Sequence, residues 1–214
     1  MKHFKVVNQL VLKDGILLCK KPSGRTMQKA HFKQGDLDGA CGAYSIAMVL
    51  NILRVFEADE LYSDTTYDRR TAEWKLIMAL NEEGLYRDGL DSEQIQHILT
   101  SNYSKYVNVQ CVTKENDLIG LTQSWIDNEN PVILRVDYDA HHAHWIVAVG
   151  YVTEDKGNPT ALLTLDPGSN SPHYCLWNGI IDLPKVPKKK YGYSYSSDVQ
   201  SMVDITEMII ITKK

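Results

Sequence analysis

From Cys41 to Phe56 nearly every position is apolar: Tyr44, Ile46, Ala47, Met48, Val49, Leu50, Ile52, Leu53 and Val55. A helix that is apolar on every face is a buried one. The pattern predicts a central helix that starts near Asp38-Gly39, with Cys41 in or next to its first turn. Residues 57–70 are polar and read as loop. Ala72 to Glu83 sets Trp74, Ile77, Met78 and Leu80 at amphipathic spacing, and Gly84 is suited to end that helix. Asp91 or Ser92 can cap a short helix through Leu99. Asn116 to Asp127 carries Leu118, Ile119, Leu121, Trp125 and Ile126 as a further helical stripe.

The period then changes. Pro131 to Asp137, Trp145 to Val152, Ala161 to Leu165 and Met208 to Thr212 are β-branched or aromatic runs of strand length. At the N-terminus, Phe4 to Leu12 and Ile16 to Lys20 flank the turn signal Lys13-Asp14-Gly15 and predict a hairpin. Helices first and strands later point to an α+β fold, not to alternating βαβ units. There are no internal repeats and no Ser- or Pro-rich linker, so residues 1–214 read as one domain. It comprises an N-terminal hairpin extension (1–30), a core (30–170), and C-terminal strands with a basic loop (171–214).

Composition narrows the choice. The chain has 214 residues, 43% of them hydrophobic and 23% charged, as in an ordinary globular protein. No apolar run approaches the roughly 20 residues that a membrane-spanning helix needs, so no membrane role is expected. Met1-Lys2-His3-Phe4-Lys5 leads into polar sequence without an apolar signal core. The expectation is a cytoplasmic protein, or one exported by a dedicated secretion system without a cleaved signal peptide. A net charge of −4 gives no general attraction to nucleic acid. The run Lys188-Lys189-Lys190 before Tyr191 is short and reads as solvated loop.

The four cysteines, at 19, 41, 111 and 175, form no Cys-x-x-Cys pair and suggest neither a disulfide framework nor a zinc site. Cys19, Cys111 and Cys175 read as structural. Cys41 differs because a helix N-terminus favours a thiolate, and thiolate fraction governs reactivity. His144 stands at the entrance of the strand Trp145-Ile-Val-Ala-Val-Gly150. Asp166 closes the next strand before Pro167-Gly168. Adjacent antiparallel strands would bring His144 and Asp166 together, with Asp166 orienting the imidazole. Gln34 would offer a side-chain amide beside the Cys41 backbone N–H as an oxyanion hole. Gly42 and Trp145 are candidate substrate-binding residues beside the nucleophile and the histidine. Asn170 is the fallback orienter. Asp36 and Asp38 read as turn formers or caps, and His141 and His142 as a solvated rim. Neighbouring histidines in an extended segment alternate sides, so no metal and no cofactor is expected.

Gln34-Gly-Asp-Leu-Asp-Gly-Ala-Cys41-Gly42 resembles the nucleophile segment of papain-like cysteine peptidases. The likeness is closer to the branch that processes double-glycine bacteriocin leaders. Pro131-Val132-Ile133, His144-Trp145-Ile146 and Asp166-Pro167 follow in that branch's chain order, while Ala43 stands where a proline usually does. The resemblance spans roughly residues 30–170. It implies a papain-like fold, with a central buried helix packed on an antiparallel sheet. It further implies an endopeptidase acting on a protein or peptide through a thioester, with Cys41 as nucleophile, His144 as acid–base, Asp166 as orienter and Gln34 as oxyanion donor. The rival expectations are a glutamine deamidase or transglutaminase with the same triad, and an inactive binding module. A compact domain without a signal core also fits a translocated effector toxin, which would have a cognate immunity or inhibitor protein.

Overall fold

The computed structural model describes residues 1–35, 39–57, 69–82, 89–114, 116–154 and 157–214. The predicted stops and caps at Asp36, Asp38 and Gly84, and nearly all of the predicted 57–70 loop, lie outside the described residues.

In chain order the elements are β1 (Lys2–Val6), β2 (Val11–Lys13), β3 (Ile16–Lys20), β4 (Met27–Lys29), α1 (Cys41–Ile52), α2 (Ala72–Glu82), α3 (Ser92–Tyr103), β5 (Val107–Thr113), α4 (Leu118–Asp127), β6 (Val132–Asp137), β7 (Ala143–Glu154), β8 (Pro159–Leu165), β9 (Gly179–Asp182), β10 (Tyr193–Ser196) and β11 (Gln200–Lys213). This is an α+β chain, with its helices ahead of most of its strands. The main sheet runs β1-β7-β6-β11-β10-β9-β8, and β8 returns to pair with β7. The expected antiparallel sheet is present, and it closes like a barrel, which the sequence pattern does not specify. Every described pairing in it is antiparallel.

β7 makes this closure possible through its length. One edge of it pairs with β6 over residues 143–148 and with β1 over 150–154, while the other edge pairs with β8. Gly150 lets β1 approach. A Cβ there would lie 2.4 Å from the Lys5 carbonyl oxygen, so any side chain would push the strand away. The expected N-terminal hairpin is divided as a result. Its first run splits at Asn8-Gln9, Lys2–Val6 joins β7, and only Val11–Lys13 pairs with β3. Asp14 and Gly15, both at positive φ, make the tight turn between β2 and β3.

α1 is buried at ten of its twelve positions and packs chiefly on β7. Its buried Ser45 hydroxyl donates to the Trp145 carbonyl at 3.1 Å, which ties helix to strand. The helix is shorter than the apolar run that predicts it. It stops at Ile52 because Arg54 turns left-handed (φ 57°), and the Val55 N–H then bonds back to the Leu50 carbonyl. α3 opens on Asp91, whose side chain accepts from the Gln94 N–H while Gln94 returns a bond to the Asp91 N–H. That is a complete capping box. No helix among the described residues is long and apolar enough to cross a membrane.

Candidate active site

Cys41 is the first residue of α1. Its N-cap is Ala40, which has no side chain able to bond the first-turn N–H groups. The Gly42 N–H is directed at the sulfur, which also sits at the positive end of the helix dipole. Burial alone would raise the thiol, which is 8% exposed. The hydrogen bond and charge of His144, with the backbone N–H groups of Trp145 and Gly42, outweigh burial and bring Cys41 below its ordinary range. Two other thiols contrast with it. Burial pushes Cys19 up to about 12 and Cys111 up to about 11.

His144 is the second residue of β7, paired with Val136. Asp166 lies one residue beyond the Leu165–Val147 pair. It is thus level with Ile146, two residues along the same face from His144. His144 Nε2 meets Asp166 Oδ1 at 2.7 Å, which leaves Nδ1 to serve Cys41. Burial alone would lower the imidazole. The bonds to Asp166 and Cys41 reverse that and raise His144 to about 9. Asp166, itself 4% exposed, is held down to about 2 despite its burial by His144, Tyr195 and the Gly168 N–H. The electrostatics thus favour a thiolate–imidazolium pair beside an ionised carboxylate.

Four donors saturate the Asp166 carboxylate. His144 Nε2 and the Gly168 N–H reach Oδ1, while the Tyr195 hydroxyl (2.6 Å) and the Ser169 hydroxyl (3.2 Å) reach Oδ2. Its backbone is clasped as well. Asn178 Oδ1 accepts from the Asp166 N–H at 2.7 Å, and Asn178 Nδ2 donates to the Asp166 carbonyl at 2.9 Å. His31, 4% exposed, also reaches that carbonyl through Nε2 at 2.8 Å, and its Nδ1 faces the Ser171 hydroxyl. Tyr138 leans on the imidazole with ring centroids 6.4 Å apart.

Gln34, Gly39, Cys41, Gly89, Leu90, Trp145 and His144 line a cleft of about 500 Å³, as do His141, His142 and Arg135. Gln34 is placed there by its backbone N–H, which donates to the Pro167 carbonyl at 2.8 Å. Trp145 forms cleft wall, and its indole N–H bonds the Leu90 carbonyl. Gly42 is not among the lining residues. It is buried, and a Cβ on it would press on Trp145, Ile95 and Leu90, so its contribution is the N–H directed at the sulfur.

Asn170 stands apart from the histidine. It is exposed, accepts from Lys33, and bonds Asp198 through its N–H and its side-chain amide. His142 is held by Asp139, which also accepts from the backbone N–H groups of His141 and His142. Tyr195, Asn178, His31 and Tyr138 are the site residues that the sequence pattern does not single out. The alternating Tyr193-Ser-Tyr195-Ser is the one signal, a short strand with Tyr195 on one face. Nothing local marks the other three.

A helix-borne thiol facing a sheet-borne imidazole and carboxylate is the layout of papain-like proteins. The family is more definite. Residues 25–180 match the Peptidase_C39 like family, and the chain belongs to that family of cysteine peptidases. A curated relative, the anaphase-promoting complex subunit CDC16 of Saccharomyces cerevisiae, is 28% identical over 109 residues. That match covers 51% of this chain and only 12% of CDC16, so the chain spans about one-eighth of that relative's length. Among solved structures, UfSP from C. elegans is similar at 13% identity and a TM-score of 0.43, over 99% of this chain and 34% of that one. A putative C39-like peptidase from Bacillus anthracis gives 13% identity and a TM-score of 0.43, over 84% of this chain and 92% of that one.

Proposed function

We propose that this protein is a papain-like cysteine endopeptidase whose triad is Cys41, His144 and Asp166. The observation that carries the reading is the continuous chain from the Cys41 thiol through His144 to Asp166, closed by the 2.7 Å bond from Nε2 to Oδ1. The Cys41 thiolate attacks the scissile carbonyl of a peptide lying in the cleft. The tetrahedral oxyanion is received by the Cys41 backbone N–H and the Gln34 amide. His144 gives its proton to the leaving amine, and a thioester to Cys41 remains. His144, now neutral, takes a proton from water, and the resulting hydroxide attacks the thioester carbonyl, breaking the C–S bond and restoring the Cys41 thiolate beside the imidazolium. Asp166 keeps the imidazole in the tautomer that both steps require. Every group in this cycle belongs to the chain, so the mechanism calls on no metal and no cofactor. Gly42 and Trp145 support substrate binding indirectly, Gly42 through its N–H and Trp145 as wall.

The test is alkylation of the native protein by iodoacetamide between pH 4 and 10, read at each cysteine by mass spectrometry. Cys41 is expected to react fast well below the ordinary thiol range, with His144→Ala removing the advantage. A Cys41 no faster than Cys19, Cys111 or Cys175 overturns the assignment in favour of a binding module. The reaction class is read from a treated proteome. New N-termini mean peptide cleavage, whereas a gain of about one mass unit at glutamine means deamidation by the same triad. The biological setting we propose is a translocated bacterial effector toxin with a cognate immunity protein over the cleft. Unprotected host cells that tolerate the wild type as well as Cys41→Ala would refute that setting.

A further inference from the structure

Tyr195 is 1% exposed, and its hydroxyl is 2.6 Å from Asp166 Oδ2, the carboxylate oxygen that His144 does not use. Two strands bring it there. β10 pairs Tyr195 with Ile181 of β9 on one side and with Ser201 of β11 on the other. On β9, Gly179 clears the space. A Cβ at that position would lie 2.4 Å from Thr164 Oγ1 and 2.9 Å from the Tyr195 hydroxyl oxygen. The strands that close the barrel thus aim one phenol at one carboxylate oxygen.

We propose that Tyr195 is a positioning residue that limits the negative charge Asp166 presents to His144, and so keeps the imidazolium acidic enough to release its proton. The proposal rests on the triad reading above. No proton moves to or from Tyr195, which donates a hydrogen bond throughout. Burial and the neighbouring Asp166 charge both hold the phenol above its ordinary range, so it stays an O–H donor. A short bond to Oδ2 draws charge away from Oδ1. Without it the carboxylate is more basic and binds the imidazolium more tightly. The imidazolium would then give up its proton less readily to the leaving amine.

The other charged or titratable groups around Asp166 come from several elements. Cys41 comes from α1, Tyr138 follows β6, and His144 is on β7. His31 and Lys33 precede α1, and Asp198 lies between β10 and β11. Removing the phenol leaves all of these in place. A tightened carboxylate therefore moves His144 upward, whereas a merely loosened site moves it down toward its ordinary 6.5.

The experiment is a pH titration of the full chain labelled with 15N at histidine, followed by long-range 1H–15N spectra. The seven histidines are resolved, and His144 is assigned by its loss in His144→Ala. In Tyr195→Phe the His144 midpoint is expected to rise by roughly half a unit or more. An unmoved or lowered midpoint overturns the proposal. If Tyr195→Phe does not fold, Ser169→Ala decides in its place, because it removes the other donor to Oδ2 at 3.2 Å. A rise then supports the proposal, and no change or a fall overturns it. The titration needs neither substrate nor reactive thiol, so it can fail while the alkylation of Cys41 succeeds, and the reverse.

Discussion

Trp145 Nε1 donates to the Leu90 carbonyl at 2.7 Å, so the residue next to His144 ties β7 to the segment that enters α3. Both residues are nearly fully buried. Both residues also line the cleft beside Cys41, so the bond joins two parts of its wall. Trp145→Phe leaves a buried carbonyl without its donor. The expected loss is about 1–3 kcal/mol of stability, measured by urea unfolding at neutral pH.

Asp166 and Asn170 are the two residues that the sequence offers as orienters, and they can be separated by variants. Asp166→Asn removes the charge that holds the imidazolium. The Cys41 alkylation rate at pH 6 should fall about tenfold or more, as expected if the thiol pKa rises by a unit. Asn170→Ala should leave that rate within about twofold, since Asn170 bonds Lys33 and Asp198 and not His144. A large loss in Asn170→Ala would reverse the roles.

The ionisations of His144 and Asp166 also shape stability. His144 is raised from 6.5 to about 9, so its stabilising contribution is complete below about pH 6.5 and is lost as pH rises through 9. Asp166 is lowered from 3.8 to about 2, so its contribution is present above about pH 4 and is lost as pH falls through 2. The lowered Cys41 thiol has already given up its proton in the folded state and binds one on unfolding, which offsets the His144 contribution in the wild type, so the test uses a Cys41→Ala background. Between pH 6 and 9.5 Cys41→Ala should lose about 1–3 kcal/mol that the double variant Cys41→Ala/His144→Ala does not lose, measured as the difference between their urea unfolding curves. Equal slopes for the two proteins would contradict the ion pair of His144 with Asp166.

Gly150→Ala tests how β1 is held. The added Cβ would meet the Lys5 carbonyl oxygen at 2.4 Å, where neither backbone can yield cheaply. A cost of about 1–3 kcal/mol is expected. Faster amide exchange should appear in Lys2–Val6, while β6 stays protected. Unchanged exchange in β1 would mean that the strand is anchored elsewhere, with the bonds of Glu129 to Lys5 and Asn8 as the place to look.

Much of this site is visible along the chain because its chemistry sits at element boundaries. Cys41 opens the most apolar run, His144 precedes a strand, and Asp166 ends one before Pro-Gly. Hydrophobic period and turn residues mark such boundaries directly. The helix that begins at Cys41 could not be placed as well at its other end, since Arg54 in a left-handed conformation carries no glycine signal. β1 was hidden in a longer run, although the polar pair Asn8-Gln9 marks the break. β9 and β10 have four residues each, too few for their period to stand out beside the lysine run.

By itself the sequence determined where the candidate groups stand along the chain: one thiol at a helix start, one imidazole and one carboxylate at neighbouring strand ends, and an amide in the loop before them. These follow from local period and capping, which depend on residues a few positions apart. Only the tertiary structure decided what surrounds the carboxylate. The Tyr195 hydroxyl, the Asn178 clasp on the Asp166 backbone and the His31 contact reach Asp166 across sequence separations of 29, 12 and 135 residues. They meet because β8, β9, β10 and β11 close the sheet back onto β6 and β7. That closure depends on strand pairing and on the space left at Gly150 and Gly179, which no local pattern encodes.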